Sequence, residues 1–271
     1  MRFYRLWRRK AVEQGDAASQ SGWGRMYLHG IEIAQNYEEA LKWFGRAAKQ
    51  GDAYAQVNLG AMYEAGLGVA QDYTEALKWY RKAADQGDAD GQFSLGGLYA
   101  MGWGVPKDYS EALKWLRKAA DQDHARAQSG MGYMHFQGWG VPKDHAEAVK
   151  WFRKAADQGD ASGQNNLGEM YSEGMGVTQD YAEAVKWFRK AVEQDDTQAQ
   201  INLGTMYKDG KGVTQDYVQA YMWFLLSAKS TEEDDPEEAA RLLDEVSRKM
   251  SPRQIEEAQQ LAAEWKPKQP E

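Results

Sequence analysis

Two pairs of side chains have types and spacings that could support chemistry. Glu169 and Glu173 are carboxylates four residues apart, which places both on one face of a helix. His135 and His145 are close enough in sequence to suggest a weak zinc site, but zinc needs three or more converging ligands and the chain has no HExxH spacing. We therefore expect packed imidazoles. Nothing in the sequence suggests that burial raises the pKa of either glutamate.

The sequence contains no recognisable catalytic motif. Acyl-serine chemistry needs a nucleophile beside a base, typically as Ser-x-x-Lys, and no serine here has a lysine three residues later. Gly-x-Ser-x-Gly, phosphate-loop and dinucleotide-binding patterns are also missing. There is no cysteine, which excludes disulfides and thiolate metal sites. We predict no catalytic residue, no metal and no cofactor.

Charge and hydropathy limit the partners. The chain has 33 Lys and Arg against 41 Asp and Glu, a net charge of −8, which repels phosphate backbones and argues against nucleic acid. No apolar run is long enough to span a membrane. The basic residues 1–10 are followed by polar residues rather than by the apolar run of a secretory signal. As written, the sequence predicts a cytoplasmic protein, or a periplasmic or secreted one if its natural N-terminus lies upstream.

Tryptophan recurs every 36 residues along most of the chain. A fixed period of this size is typical of stacked repeats rather than of one globular domain. Burying one indole contributes on the order of 5 kcal/mol before entropy is counted, so we expect every member of the series to lie in the core. The series is Trp7, Trp43, Trp79, Trp115, Trp151, Trp187 and Trp223.

Each repeat reads as two helices joined by a short turn. In residues 52–87 apolar side chains recur at helical spacing on both sides of the Gly66–Val69 turn. Asp72 followed by Glu75 predicts a capping box, in which the aspartate accepts a backbone N–H and the glutamate reaches back. Glycine ends most second helices, but Asp123 and Asp195 take its place at two junctions, where we expect slightly strained turns.

Small and polar residues share the period. We expect the glycines of the first helices to face the alanines of the second helices, in the pairs Gly60/Ala76, Gly96/Ala112, Gly132/Ala148, Gly168/Ala184 and Gly204/Ala220. A glutamine in every first helix indicates structural hydrogen bonds to backbone at repeat junctions, with ligand contact as the alternative. These are Gln20, Gln56, Gln92, Gln128, Gln164 and Gln200.

The repeated pattern A-x-A-Q-x-x-L-G-x-M-Y-x-x-G-x-G-V-x-x-D-Y-x-E-A-x-K-W-x-x-K-A-A-x-x-G resembles the Sel-1-like repeat (SLR) family of the tetratricopeptide-like superfamily. The resemblance covers residues 1–229 as an N-terminal half-repeat plus six repeats. It implies an all-α, right-handed α-solenoid in a bacterial adaptor or scaffold, with the first helices lining a concave face. Residues 230–271 resemble a helical C-terminal cap with a short polar tail, and their own sequence places helix starts at Asp235-Pro236 and Ser251-Pro252.

In the tetratricopeptide-like frame, positions 2, 5, 9, 12 and 13 of each first helix line the concave groove. We expect these positions to be exposed and to carry a strip of apolar and aromatic residues beside an acidic patch, which suits a peptide with apolar anchors and a basic flank. Ordinary surface aromatics or packing between repeats are the alternative. The candidate binding residues are Tyr54, Val57, Phe93, Met101, Tyr133, Phe136, Glu169 and Glu173. The other groove positions are Ala61, Glu64, Asp90, Gly97, Ala100, Arg126, Ser129, Gln137, Ser162, Asn165, Ser172, Gln198, Ile201, Thr205, Lys208 and Asp209.

Trp103 and Trp139 occupy the same slot in two Gly-Trp-Gly-Val-Pro turns. The slot holds Lys211 in another repeat, which indicates exposure, so the two indoles form a possible second contact patch. They could equally fold over their own turns.

The sequence thus predicts a non-enzymatic module that binds a protein or peptide on its concave face. Some relatives carry β-lactamase or penicillin-binding labels, but those relatives are cysteine-rich. A self-associating structural spacer is a further alternative, and an oligomer is not excluded.

Overall fold

The computed structural model describes residues 15–229 and 236–268, and every regular element within them is an α-helix. The opening half-repeat with Trp7, and Asp235, lie outside the described residues. The fourteen helices are α1 (Ala17–His29), α2 (Tyr37–Lys49), α3 (Ala53–Ala65), α4 (Tyr73–Asp85), α5 (Ala89–Met101), α6 (Tyr109–Ala120), α7 (Ala125–Gln137), α8 (His145–Asp157), α9 (Ala161–Glu173), α10 (Tyr181–Val192), α11 (Thr197–Asp209), α12 (Tyr217–Ser227), α13 (Pro236–Ser247) and α14 (Pro252–Glu264).

The chain forms an α-solenoid of helix pairs and divides into two compact units. Unit 1 comprises the described residues up to Ala127 together with Trp139–Val141. Unit 2 comprises Gln128–Gly138 and the described residues from Pro142 onward. In each unit a first helix packs on the second helix of its repeat, and that second helix packs on the next repeat. None of the described helices is long and apolar enough to cross a bilayer.

Helix boundaries follow from capping. The side chain of Asp52 accepts the Ala55 N–H at 2.7 Å to start α3, which ends where Gly66 turns left-handed at φ 69°. Asp72 starts α4 in the same way by accepting the Glu75 N–H at 3.0 Å.

The predicted capping box is wrong in its second half. The Glu75 carboxylate does not reach back to the N-cap but binds Lys78 at 2.7 Å, because an ammonium three residues along the helix offers a charge-assisted bond. The same ion pair between a glutamate and the lysine three residues later follows four other N-caps. The pairs are Glu39–Lys42 after Asn36, Glu111–Lys114 after Asp108, Glu147–Lys150 after Asp144 and Glu183–Lys186 after Asp180. A complete capping box starts α14, where Ser251 and Gln254 bond reciprocally.

In unit 1 the core lies between first and second helices. One cluster joins Phe44, Leu59, Met62 and Trp79 across two repeats, and the next joins Tyr80, Leu95 and Leu98 with Trp115. The periodic tryptophans Trp43, Trp79 and Trp115 are between 6% and 8% exposed. Their predicted burial is therefore confirmed in this unit.

Unit 2 repeats the same core and adds the C-terminal helices. Trp151, Trp187 and Trp223 are 5% or 6% exposed. Helix α12 packs on both α13 and α14. Trp265, just after α14, meets Trp223 edge to face at 4.8 Å between ring centroids, and Ala258 and Ala262 are buried in the same cluster.

The first-helix glycines face a different partner from the expected one. A Cβ on Gly60 would lie 2.7 Å from the ring of Tyr80, and one on Gly168 would lie 2.6 Å from the ring of Phe188. The residue four positions after the predicted alanine is the nearest neighbour, because its large side chain folds back over the first helix. Glycine therefore makes room for a large side chain at this position. At Gly96 that side chain is Leu116, at 2.9 Å from the added Cβ, and the predicted partner Ala112 also lies close, with its carbonyl oxygen at 3.2 Å.

The periodic glutamines form structural hydrogen bonds, as predicted. In unit 1 the buried Gln56 donates to the Ala48 carbonyl of the preceding repeat at 3.1 Å and accepts from Gln86 at 2.7 Å. In unit 2 Gln164 donates to the Ala156 carbonyl at 3.3 Å and accepts from Gln194 at 3.0 Å. These bonds tie each of these two repeats to its neighbours. Gln200 differs, because its amide donates to the Asp195 carboxylate at 2.8 Å and its side-chain oxygen has no hydrogen-bond partner among the described residues.

The two junctions without glycine adopt the left-handed backbone predicted to be strained. Asp123 has φ 59° and Asp195 has φ 64°, whereas Gly51, Gly87 and Gly159 have φ between 90° and 94°. L-residues rarely adopt this region, although aspartate does so more readily than most.

Candidate functional site

The first-helix face of unit 1, here Tyr54, Val57, Phe93 and Met101, is mainly apolar. Tyr54 is 46% exposed and Met101 is 50% exposed. Tyr54 meets the buried ring of Phe44 edge to face at 6.2 Å, which holds its aromatic body in place. Val57 packs partly against the cluster around Tyr80 and contributes mainly to the core.

Phe93 is fixed by residues from the next repeat junction. Its ring stacks on His124 at 5.1 Å, and the Arg126 guanidinium lies 4.7 Å from its centroid. His124 caps α7 by accepting the Ala127 N–H on Nδ1 at 3.0 Å, so Nε2 carries the proton and donates to Asp90 at 3.0 Å. This network leaves a half-buried aromatic ring between two nitrogen-bearing groups.

Tyr80 adds a buried polar contact behind this face. Its hydroxyl donates to Glu64 at 2.6 Å. Burial raises the pKa of the Tyr80 hydroxyl, and the hydrogen bond to Glu64 raises that pKa further. The phenol therefore stays protonated and holds the Glu64 carboxylate at the edge of the face.

The first-helix face of unit 2, here Tyr133, Phe136, Glu169 and Glu173, combines rings with carboxylates. Tyr133 is 41% exposed and lies 6.3 Å from Phe136 between ring centroids. Phe136 stacks on His145 at 5.3 Å. Within the part of the chain that the structure describes, no group of three His, Asp or Glu side chains could hold a metal ion, so the pair His135 and His145 stays without further ligands.

Glu169 is half-buried, so the expectation that the groove carboxylates are exposed is wrong for this residue. Its Oε1 accepts from Asn165 at 3.0 Å and from Asn202 at 2.9 Å, which covers the carboxylate. Burial raises the pKa of Glu169, and the charge of Glu173 raises it further, while the two amide donors oppose the shift. Glu173 itself is exposed.

Asp196 shares this environment. Burial raises the pKa of Asp196, its bond from the Ala199 N–H lowers it, and the charges of Glu169 and Asp160 raise it. The first-helix face of unit 2 therefore carries carboxylates that are held close together by amides and N-cap bonds.

Several groove positions expected to be exposed are buried instead. Position 5 faces the next repeat: Ser129 donates to Asp160 at 2.5 Å, Asn165 bonds to Asn202 at 2.9 Å, and Ile201 packs in a cluster with α13 residues. Helix packing between repeats closes this position, which a single-helix pattern cannot show. The buried groove positions are Ala100, Ser129, Asn165, Ser172 and Ile201.

The turn tryptophans lie in unit 1 and pack on the preceding second helix. Trp103 stacks on Tyr73 at 4.9 Å and Trp139 stacks on Tyr109 at 4.8 Å. Trp103 is still 43% exposed. A Cβ on Gly104 would lie 2.5 Å from the Tyr73 carbonyl carbon, so the glycine allows the turn to approach that closely.

Sequence reasoning missed two sets of polar contacts. Asn165 precedes Glu169 by four residues, a helical spacing that could have indicated their bond. A second set joins an arginine of a second helix to a tyrosine of the next first helix at three junctions, as in Arg189 to Tyr207 at 2.9 Å. Both residues recur at 36, which was the available signal.

The chain matches known repeat proteins along most of its length. The Sel1 repeat family model matches residues 17–52, 53–88, 89–124, 125–160, 161–196 and 197–231. The crystal structure of c5321, a protective antigen present in uropathogenic Escherichia coli strains displaying an SLR fold, has 38% identity and a TM-score of 0.84, covering 95% of this chain and 54% of that chain. This chain therefore spans about half the length of that relative.

Two further structures extend the comparison. A Sel1 repeat protein from Oxalobacter formigenes has 33% identity and a TM-score of 0.70, covering 86% of both chains. Immunity protein Pa5087 from Pseudomonas aeruginosa, with 20% identity and a TM-score of 0.53 over 84% of this chain and 82% of that chain, shares the fold alone. None of the curated proteins compared with the chain matches it. Sel1 repeats are generally protein-interaction modules and typically non-catalytic scaffolds. With six matched repeats, the resemblance seen in the sequence is confirmed, and the chain belongs to the Sel1 repeat family.

Proposed function

We propose that this chain is a non-enzymatic adaptor or scaffold that binds a segment of a partner protein on its first-helix faces. The observation that carries the proposal is the placement of exposed apolar side chains. Tyr54, Met101 and Tyr133 are all between 41% and 50% exposed, and all three lie on these faces. Aromatic and methionine side chains of this kind are enriched at protein interfaces.

Rigidity supports binding at low ordering cost. Tyr54 rests on Phe44, and Phe93 lies between His124 and Arg126. A partner therefore meets side chains that are already oriented, which reduces the entropy lost on association.

The surroundings of Glu169 favour binding over catalysis. A carboxylate with a raised pKa is a candidate proton donor in an enzyme. Here the amides of Asn165 and Asn202 both donate to Glu169 Oε1. These amides orient the carboxylate, and neither is a nucleophile. We propose that this acidic region attracts a basic part of the partner.

Affinity capture from source-cell extract tests the proposal with matched variants. The face variant carries Tyr54→Ala, Met101→Ala and Tyr133→Ala, and the control carries Ile31→Ala and Trp103→Ala, whose side chains are both 43% exposed in turns. We expect a partner that binds wild type and the turn variant but not the face variant. Calorimetry with the purified partner should then show at least about a tenfold loss of affinity for the face variant.

Other outcomes contradict the proposal. A partner lost only from the turn variant would place the site at Trp103, and a partner retained by both variants would exclude both surfaces. Circular dichroism of each variant shows whether it is folded before capture.

A further inference from the structure

Second helices carry an arginine that fills the space beside the next repeat. Arg81 donates to the hydroxyl of Tyr99, Arg153 to that of Tyr171, and Arg189 to that of Tyr207. The Arg81 guanidinium carbon also lies 5.5 Å from the Tyr99 ring and 5.3 Å from the Trp115 ring. The arginine thereby covers a tyrosine and a tryptophan at the junction.

Gly45 occupies the arginine position in α2, 36 residues before Arg81. Without a side chain there, a pocket of about 370 Å³ opens in unit 1. A Cβ on Gly45 would meet no atom within 4 Å. The pocket is lined by Leu41, Lys42, Gly45, Arg46, Lys49, Leu59, Tyr63 and Trp79.

The floor of this pocket is apolar and contains an unused donor. Tyr63 and Trp79 correspond to Tyr99 and Trp115 and lack the arginine that covers those rings. Trp79 is 8% exposed, and its indole N–H has no partner among the described residues. The indole N–H groups of Trp187 and Trp223 also have no partner among the described residues, whereas that of Trp115 donates to Glu111 at 2.9 Å.

The rim of the pocket is basic. Lys42, Arg46 and Lys49 surround it. Lys42 is paired with Glu39 at 2.8 Å, whereas no ion pair joins Arg46 or Lys49 to a carboxylate in the described ranges. The Lys82 ammonium adds a further positive charge 4.0 Å from the Trp79 ring centroid. In a chain with net charge −8, this concentration of cations favours carboxylates and repels a free guanidinium or ammonium group.

We propose that this pocket, here the Gly45 pocket, binds an acidic peptide segment of a partner protein through one apolar side chain. The apolar side chain lies against Leu41, Leu59 and Trp79, and neighbouring carboxylates pair with Arg46 and Lys49. The site lies between the second helices α2 and α4 and the first helix α3, and its α3 residues, Leu59 and Tyr63, are not among the proposed face residues. It requires neither of those faces to be functional.

Substitution of Gly45 by arginine, the residue found at this position in four of the other five second helices, gives a direct test. Gly45→Arg fills the pocket as Arg81 does and replaces a glycine within a helix, so it should raise the melting temperature by a few degrees. Thermal unfolding of this variant followed by circular dichroism, done before the titrations, separates a loss of binding from a loss of folding. A second variant, Lys49→Glu, leaves the pocket open and changes only the charge of its rim.

The probes are acetylated and amidated octapeptides titrated into the full chain by calorimetry. One has two central leucines flanked by aspartates, one has alanines in place of the leucines, and one has lysines in place of the aspartates. We expect the acidic leucine peptide to bind wild type best, with at least about a tenfold loss on Gly45→Arg and a similar loss on Lys49→Glu.

Four outcomes would overturn the proposal. In the first, wild type and Gly45→Arg bind the acidic leucine peptide with equal affinity, and in the second, wild type prefers the lysine peptide. In the third, wild type gives no heat of binding at about 1 mM peptide. In the fourth, a second copy of this chain occupies the pocket. Dimerisation of the wild type that is abolished by Gly45→Arg, measured by sedimentation, would reveal the last of these.

Discussion

In unit 1 the fifth residue of α5 is Phe93, whose ring lies between the imidazole of His124 and the guanidinium of Arg126. In unit 2 the fifth residue of α9 is Asn165, whose amide donates to Glu169 and accepts from Asn202. Both side chains face the next repeat from the same helix position. One junction is therefore closed by ring stacking and the other by a hydrogen-bonded network around a carboxylate.

The difference shows how one scaffold carries two surfaces. The buried tryptophans, glycines and glutamines repeat in both units and hold the helices together. The fifth and ninth positions vary between repeats: the fifth is Phe93 in α5 and Asn165 in α9, and the ninth is Gly97 in α5 and Glu169 in α9. The unit 2 arrangement has a cost, because a carboxylate loses hydration when it is covered.

The largest expected effect tests whether the two cores are equivalent. Trp79→Ala in unit 1 and Trp187→Ala in unit 2 should each lower the free energy of unfolding by about 3–5 kcal/mol. Both indoles are at most 8% exposed, and both carry a lysine ammonium 4.0 Å from the ring. Urea unfolding followed by circular dichroism measures the two losses.

A control separates burial from aromatic character. Trp103→Ala removes an indole that is 43% exposed and should cost much less than either core substitution. Losses at Trp79 and Trp187 that differ by more than about 2 kcal/mol would show that the junction chemistry, not the shared core, determines local stability.

The sequence was most informative where a residue recurs at every repeat. Trp79, Gln56 and Asp72 could each be assigned a burial, a hydrogen bond or a cap, because a helix pair imposes the same local geometry each time. The prediction that the Glu75 carboxylate bonds back to the N-cap was wrong, because Lys78 binds that carboxylate instead.

The candidate site was harder to predict because it depends on contacts between repeats. The burial of Glu169 needs Asn202, which lies 33 residues away on the next first helix. The Gly45 pocket needs a missing side chain, and only the packing of Tyr63 and Trp79 shows what that side chain would have covered. Helical spacing within one repeat predicts neither the contact between Glu169 and Asn202 nor the uncovered rings of Tyr63 and Trp79.

The second-largest expected effect is a pH-dependent change in stability when the Glu169 carboxylate is replaced. Because the folded-state pKa of Glu169 is raised, its stabilising contribution is present below the ordinary carboxyl pKa and is lost as pH rises through the raised value. Glu169→Gln keeps an oxygen for Asn165 and Asn202 and removes the charge. The variant should be more stable than wild type by about 1 kcal/mol at pH 8, with the difference shrinking toward pH 4.

Glu111→Gln in unit 1 is the control of opposite sign. The hydrogen bond from Lys114 lowers the pKa of Glu111, helped by that from Trp115, so its contribution is present above the ordinary carboxyl pKa and is lost as pH falls through the lowered value. This variant should be less stable than wild type at pH 8. Urea titrations across the pH range measure the stability of each variant relative to wild type. If both variants are more stable than wild type at pH 8, or both are less stable, the contrast between the units is wrong.

The smallest effect concerns the backbone at the repeat junctions. Each unit has a glycine junction and an aspartate junction at positive φ: Gly87 and Asp123 in unit 1, and Gly159 and Asp195 in unit 2. Asp195 has φ 64°, and its carboxylate accepts from Gln200 at 2.8 Å. Asp195→Asn keeps that acceptor and favours the left-handed backbone, so it should raise the free energy of unfolding by about 0.5 kcal/mol. Asp195→Gly relaxes the backbone further but leaves the Gln200 amide unpaired, so it should gain less than the asparagine variant. If differential scanning calorimetry shows that Asp195→Gly is more stable than Asp195→Asn, backbone strain outweighs the hydrogen bond from Gln200. The glycine and aspartate junctions would then differ only in φ.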